Sequence, residues 1–260
     1  MTLTDDQRQR YSRHLVIPEL GEEGQRRLAQ ASVLVVGTGG LGSPCLYYLA
    51  AAGVGRLGLV DCDAVELSNL QRQILHNTDD IGRPKTESAV EKLHTLNPEV
   101  VLEPHQTFFG PENALDLVSG HDLVVNAVDN FAARFLVNDA CVQAGKRLVE
   151  GAILAFIGRV MTIDPRRSAC YRCVFPEVPG ADDVLSPAQA GVFGPVPGVI
   201  GAIQAAEAIK IVTGAGLPLY DRLLEVDARD MTFHELHLAR EPTCPVCGDH
   251  PTIIPLGAKA

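Results

Sequence analysis

The chain has 260 residues, 46% hydrophobic and 21% charged, an ordinary globular balance for a chain long enough to bury one sizeable core. Basic minus acidic residues, 22 − 32, leaves a net charge of −10, and no Lys/Arg run interrupts it, so bulk binding to a nucleic-acid backbone is disfavoured. The polar start MTLTDDQRQR lacks a secretory apolar core, and the most apolar stretch, residues 190–203, is shorter than the ~20 residues a bilayer needs; no membrane partner and a cytoplasmic location are expected.

Thr4 and Gln7 form a capping-box pattern that predicts a helix over 5–15, followed by a second over 22–30. Residues 33–36 (VLVV) are a continuous apolar run, the pattern of a strand buried on both faces. A glycine cluster, an apolar helix over 41–52 and a strand over 57–60 complete a strand–turn–helix–strand unit, hence a parallel pair. Helices are predicted over 84–96, 112–118 and 132–144, alternating with strands at 100–104, 123–127 and 147–150. Beyond Gly151 the alternation lapses. Residues 152–163 read as an antiparallel strand, 164–188 as irregular, 199–212 as a helix, and 219–227 with 231–238 as a hairpin. The expected fold is α/β: a Rossmann-like, mostly parallel sheet continued by antiparallel strands. One unit over 1–260 is expected, with a helical arm (1–30), a nucleotide-binding half (31–150) and a smaller mixed half (151–260).

The turn Gly37-Thr-Gly-Gly-Leu-Gly42 places Gly37, Gly39 and Gly42 in GxGxxG register, with Gly40 between them, directly after a strand and before a helix. Such glycines let the backbone approach a phosphate closely at a helix N-terminus. Asp61 follows Gly42 by 61 − 42 = 19 residues, near the ~20 expected of a carboxylate that holds ribose hydroxyls. A turn that merely packs helix on sheet is the plainer alternative. Beyond Asp61 and Asp63 come Ser68, Asn69, Leu70, Gln71, Arg72 and Gln73, then Lys85 at a helix start and Asp129-Asn130 after the strand 123–127. All fall on the carboxyl-end side of the strands, where ligands of such sheets lie, supplying cations for phosphate and a carboxylate for Mg²⁺. Singly, SNLQRQ reads as a helix cap and Lys85 as a solvated charge; their convergence on one edge points to a nucleotide site.

Carried by RYSR at 10–13, GTGGLG at 37–42, SNLQRQ at 68–73, GRPK at 82–85, Asp129-Asn130, CYRC at 170–173 and CPVC at 244–247, the sequence resembles the MoeB/ThiF family, bacterial relatives of ubiquitin-activating enzymes. The resemblance implies ATP-dependent adenylation of the C-terminal glycine of a ubiquitin-like sulfur carrier (MoaD-like or ThiS-like, ending in Gly-Gly), with release of pyrophosphate. It implies ATP on the glycine loop, ribose on Asp61, phosphates on Asn69, Arg72 and Lys85, and Mg²⁺ on Asp129. It also implies a homodimer in which Arg13 reaches the opposite subunit's triphosphate; locally, Arg13 reads only as a surface charge on a short helix.

Cys170, Cys173, Cys244 and Cys247 form two CxxC pairs about 70 residues apart, a set that suits a closed, structural Zn²⁺ site better than a redox pair. Cys45, Cys62 and Cys141 read as packed or semi-exposed residues. Where many family members carry a loop cysteine able to link to the carrier, this chain has Pro187, which forms no thioester. Chemistry is therefore expected to stop at the acyl-adenylate, with a separate sulfurtransferase or desulfurase supplying sulfur; Cys62 is the other candidate for a covalent link. The sequence runs only a little past the second CxxC, so the sulfurtransferase domain that some relatives carry is not expected. Residues 199–212 and Phe193 are candidate carrier contacts, with core packing the plainer reading. The alternatives are a zinc-stabilised scaffold without turnover, a nicotinamide-dependent oxidoreductase resting on the glycine loop alone, and a tRNA-modifying relative that activates a small carboxylate.

Overall fold

The apolar runs of the first half fold into a parallel sheet whose central strand, β1 (Ser32–Val36), is buried at every residue. The computed structural model describes residues 2–178, 180, 187–253 and 256. Helices α1 (Asp5–Arg10), α2 (Ser12–Leu15) and α3 (Gly21–Gln30) precede β1; α4 (Gly42–Ala51), β2 (Arg56–Val60), α5 (Lys85–Leu96), β3 (Val101–His105), α6 (Ala114–Ser119), β4 (Leu123–Asn126), α7 (Phe131–Ala144) and β5 (Arg147–Leu154) follow. The chain continues through β6 (Ile157–Ile163), α8 (Tyr171–Val174), α9 (Pro187–Ala190), α10 (Pro195–Thr213), β7 (Arg222–Asp227) and β8 (Thr232–His237).

All eight strands form one sheet in the order β3-β2-β1-β4-β5-β6-β7-β8, parallel from β3 to β5 and antiparallel from β5 to β8. The chain leaves β1 toward β2 on one side and returns as β4 on the other, so the order reverses at β1/β4, where such sheets open a crevice at their carboxyl ends. β3 is an edge strand, and it carries Pro104, which a central strand would not tolerate. One apolar cluster packs α4 and α10 on one face of the sheet, around Val35, Leu46, Leu57 and Ile200; a second packs α7 on the other, around Leu34, Val124 and Phe135.

Several boundaries differ from the expected ones. The helix expected over 5–15 divides at Tyr11 (φ −97°), whose buried ring leaves the helical path so that its hydroxyl accepts from Asn97 Nδ2 at 2.9 Å. The strand expected from 152 is the continuation of β5 to Leu154. A tight turn with Ala155 at φ +51° then folds the chain back as β6. The segment expected to be irregular holds the short helices α8 and α9. α10 starts four residues before the expected Val199, because prolines at 195 and 197 lie in a first turn whose N–H groups need no helical partner. The stretch read as too short for a membrane, 190–203, therefore runs from residue 195 into a 19-residue helix that is long and apolar enough to cross one by length and composition. In this fold it packs on α3, α4, β5 and β6 instead, with Glu207 and Gln204 buried.

Candidate functional site

The turn after β1 is shaped by glycines at its two ends. Gly37 has φ +99°, and a Cβ there would meet the Ala127 carbonyl oxygen at 2.7 Å; a Cβ at Gly42 would lie 2.0 Å from the Gly37 oxygen. No side chain fits either place. Thr38, between them, ties the turn to the end of β2: its N–H and hydroxyl both donate to Asp61 Oδ2 at 2.9 Å, while Asp61 Oδ1 accepts from the Asp63 N–H at 2.9 Å. A carboxylate has about four acceptor positions. Three are used here, which fixes Asp61 and leaves one for a ligand hydroxyl.

Beyond this turn lies a cleft of about 290 Å³, walled by Gly39, Gly40, Asp61, Asp63, Arg72 and Lys85. Lys85 is not the solvated charge of the plainer reading; its side chain is 7% exposed and its Nζ donates to Asp63 Oδ2 at 2.8 Å. That hydrogen bond holds the Asp63 carboxyl below the usual carboxylate range, and it leaves two of the three ammonium donors for other oxygens. Arg72 donates to the Ser68 carbonyl at 3.2 Å and to Gln71 Oε1 at 3.3 Å, and among the described residues it has no acidic partner. Gln73, buried to 5% with Oε1 unpaired, sits beside Gly39 on the same wall. Across the cleft are exposed Asp129 and Asn130, which caps α7 by accepting from the Ala133 N–H at 2.8 Å.

Ser68, Asn69, Leu70 and Gln71 do not line this cleft. The turn Leu67–Asn69 is the helix cap that the plainer reading supposed: Asn69 Oδ1 accepts from the Glu66 N–H at 3.1 Å, Ser68 donates to Glu66, and Gln71 donates to the Val192 carbonyl. Its effect is to aim Arg72 and Gln73 inward. Arg13 is exposed on α2 and lies outside the cleft of its own chain.

The four predicted cysteines also converge. Cys170 and Cys244 sulfurs are 3.6 Å apart, Cys173 and Cys247 3.4 Å, Cys170 and Cys173 3.8 Å, and all four lie within 4.8 Å of one another. A tetrahedral Zn–S₄ site with bonds of ~2.3 Å has S···S edges of ~3.8 Å, so the donor set fits a closed zinc centre. No disulfide joins them.

Comparison with known proteins gives the same answer over most of the length: the model of the ThiF family matches residues 11–246. The chain belongs to the ThiF family. It is 50% identical over 97% of its length to the "Sulfur carrier protein adenylyltransferase" of Thermus thermophilus, covering 95% of that protein. It is 49% identical to the "SAMP-activating enzyme E1" of Haloferax volcanii, over 96% of this chain and 93% of that one. Among solved structures, E. coli MccB with AMPCPP and MccA is similar at a TM-score of 0.81 with 29% identity, over 92% of this chain and 74% of MccB.

Some residues of this ThiF-family site escaped the sequence reading. Thr107, Phe108 and Phe109 wall the cleft just past β3, whose His105 carbonyl accepts from the Asp61 N–H at 3.3 Å. Their only signal was position, at the carboxyl end of a strand next to β2. His76 braces the turn from below, Nε2 donating to the Thr38 carbonyl at 3.1 Å and Nδ1 accepting from Ser88 at 2.8 Å. Burial pushes its pKa down, which favours this neutral tautomer. Cys62 lines the cleft too, but burial and then the negative charges of Asp63 and Asp61 raise its thiol, so it is a poor nucleophile. Burial likewise raises Cys45 and Cys141, which are inert core residues. Of the stretch expected to correspond to the family's loop cysteine, Leu185 and Ser186 lie outside the described residues, and Pro187 opens α9. Phe193 is half exposed, whereas α10 chiefly serves the core.

Proposed function

We propose that this chain uses ATP to adenylate the C-terminal carboxylate of a small ubiquitin-like sulfur carrier ending in Gly-Gly, releasing pyrophosphate. The observation that carries this is the gathering of Arg72, Lys85, Asp61 and Asp129 on one cleft at the sheet's switch point, in a ThiF-family chain. Support comes from the relatives, one named for adenylating a sulfur carrier and another for activating SAMP. A nicotinamide oxidoreductase would not require two cations beside the glycine turn.

In this reading ATP lies across the turn with its phosphates at the N-terminus of α4 and its ribose on the open acceptor of Asp61. A carrier carboxylate oxygen attacks the α-phosphorus in line; the bond from that phosphorus to the α,β-bridging oxygen breaks and pyrophosphate leaves with its electron pair. Both reactants are anions. Lys85 and Arg72 offset their repulsion and the charge gathering on the departing group, while the protein supplies no nucleophile of its own. Asp129 would hold Mg²⁺, which neutralises phosphate charge when bound. Arg13, exposed on α2, would complete the site of a second subunit in a homodimer. The four cysteines would hold a structural Zn²⁺. With Pro187 at the loop position, the product is the acyl-adenylate, which a separate sulfurtransferase or desulfurase consumes. The free thiols among the described residues accord with work in the cytoplasm.

ATP–pyrophosphate exchange measured with and without a Gly-Gly-ended carrier tests this. Exchange that depends on the carrier, and that falls at least ~100-fold in Lys85→Met or Arg72→Ala, is expected for electrostatic contributions of this kind. ATP binding with no exchange for any carrier would instead favour the scaffold.

A further inference from the structure

The strand end that presents Asp129 is held by a buried polar hub whose side chains, Glu150, Arg134 and Asn126, do not themselves line the cleft. Glu150, on β5, is 3% exposed, Arg134, on α7, is 5%, and Asn126, ending β4, is fully buried. Arg134 pairs with Glu150 Oε1, and Asn126 Nδ2 donates to Glu150 Oε2 at 2.6 Å. The same guanidinium donates to the Gly151 carbonyl at 2.6 Å and, through its other arm, to the Val128 carbonyl at 2.9 Å. Asn126 Oδ1 accepts from the Val128 N–H at 3.4 Å, and Gln204 of α10 donates to the Asn126 carbonyl at 2.7 Å.

The result is a clamp on both sides of one residue. Val128 is held at its N–H and its carbonyl; Asn130 is held at its side chain by the Ala133 N–H and at its carbonyl by the Arg134 N–H at 3.2 Å. Asp129 stands between them with its side chain exposed in the cleft. An ion pair taken so far from water is a costly way to fasten one element to another, and an apolar pair would pack there as well. It makes physical sense if the fork's reach to two carbonyls is what matters, because only a planar, multi-donor cation holds a carboxylate and two carbonyls together.

We infer that Arg134, with Glu150 and Asn126, is a positioning group for the adenylation reaction: it fixes the backbone on which Asp129 meets the metal–nucleotide complex, without touching either. This rests on the reading of the cleft given above. The full-length protein is titrated with ATP in the presence and absence of Mg²⁺, no carrier being added, so that binding alone is read. Arg134→Lys keeps a positive charge against Glu150 and gives up the fork. We expect it to fold with wild-type circular dichroism and ATP affinity without Mg²⁺, and to lose about tenfold of the Mg²⁺-dependent gain in affinity, the scale on which groups supporting a ligating residue act. In an Asp129→Asn background the same substitution should add nothing. Should Arg134→Lys fail to fold, Glu150→Gln carries the same test, because it sets an amide against the Asn126 amide and slackens the hold on Val128. An unchanged Mg²⁺ gain, or an equal loss with and without Asp129, overturns the inference. Wild-type protein that binds no ATP overturns the reading of the cleft, and the inference with it.

Discussion

At the scale of single residues the cleft is a place where charge is arranged before any ligand arrives. Lys85 is buried but stays paired through Asp63, and Asp61 is pinned by Thr38 and by the Asp63 N–H, so neither side chain has to be ordered on binding. Burial first, and then these same carboxylates, raise the one thiol that lines the cleft among the described residues. Cys62 lies between Asp61 and Asp63 and is kept protonated, whereas an attacking thiol needs the opposite surroundings. Cys62→Ala should therefore leave carrier-dependent ATP–pyrophosphate exchange within about twofold of wild type, since it removes only one weak thiol hydrogen bond, to Asp63 Oδ1 at 3.7 Å, at an exposed position. Loss of exchange in a folded Cys62→Ala protein would contradict this expectation. GxGxxG, Asp61 and Lys85 were legible in the sequence because each sits at a strand end or helix start that simple patterns locate. The inward turn of Arg72 and Gln73, and the absence of Ser68 through Gln71 from the cleft wall, were not, because the run of six polar and apolar residues does not show which side chains face the cleft.

Between elements, His76 carries the glycine turn on α5. Its imidazole is neutral in the fold because burial opposes the charge, while the unfolded chain takes up a proton near pH 6.5. Below that pH the unfolded state binds more protons than the folded one, so stability falls on acidification and is level above it. Buried His121 is shifted the same way, also by burial. Thermal melts between pH 7.5 and 5.5 should show Tm declining below about 6.5, the ordinary histidine value. His76→Asn should show a shallower decline, with His121 keeping it above zero. Equal slopes in the two proteins would remove His76 from the account. No sequence pattern announces this brace, since its partners lie 38 residues back and 12 ahead. The division of the first helix at Tyr11 was hidden for the same reason, its partner Asn97 being 86 residues away.

Across the whole molecule, the parallel half was readable because strands buried on both faces are written as unbroken apolar runs, and β1, β2 and β4 are such runs. The antiparallel half was readable only as far as its hairpin. The turn at Ala155 carries no glycine to mark it, so the break between the two strands was placed at Gly151 and the end of β5 was read into the strand that follows. The cysteine cluster was legible from spacing alone, and its position gives it a mechanical role: it joins the segment after β6 to the segment after β8, and Arg172 beside it grips Asp139 of α7 with two nitrogens. One zinc per chain is expected by elemental analysis. Stripping it with a chelator, or Cys244→Ser, should lower Tm by several degrees, because a metal that binds only the folded cluster contributes its binding energy to folding. A chain without metal that melts at the same temperature would show the thiols merely packed.

β1 lies between two neighbours, is buried throughout, and ends directly in the glycine turn. In such a sheet the amide protons of the central strand are released only when the entire domain opens, whereas those of β8, exposed at all six residues, escape by fraying. The loop that would receive the phosphates thus hangs from the last part of the molecule to come apart, and the opposite margin can breathe without disturbing it.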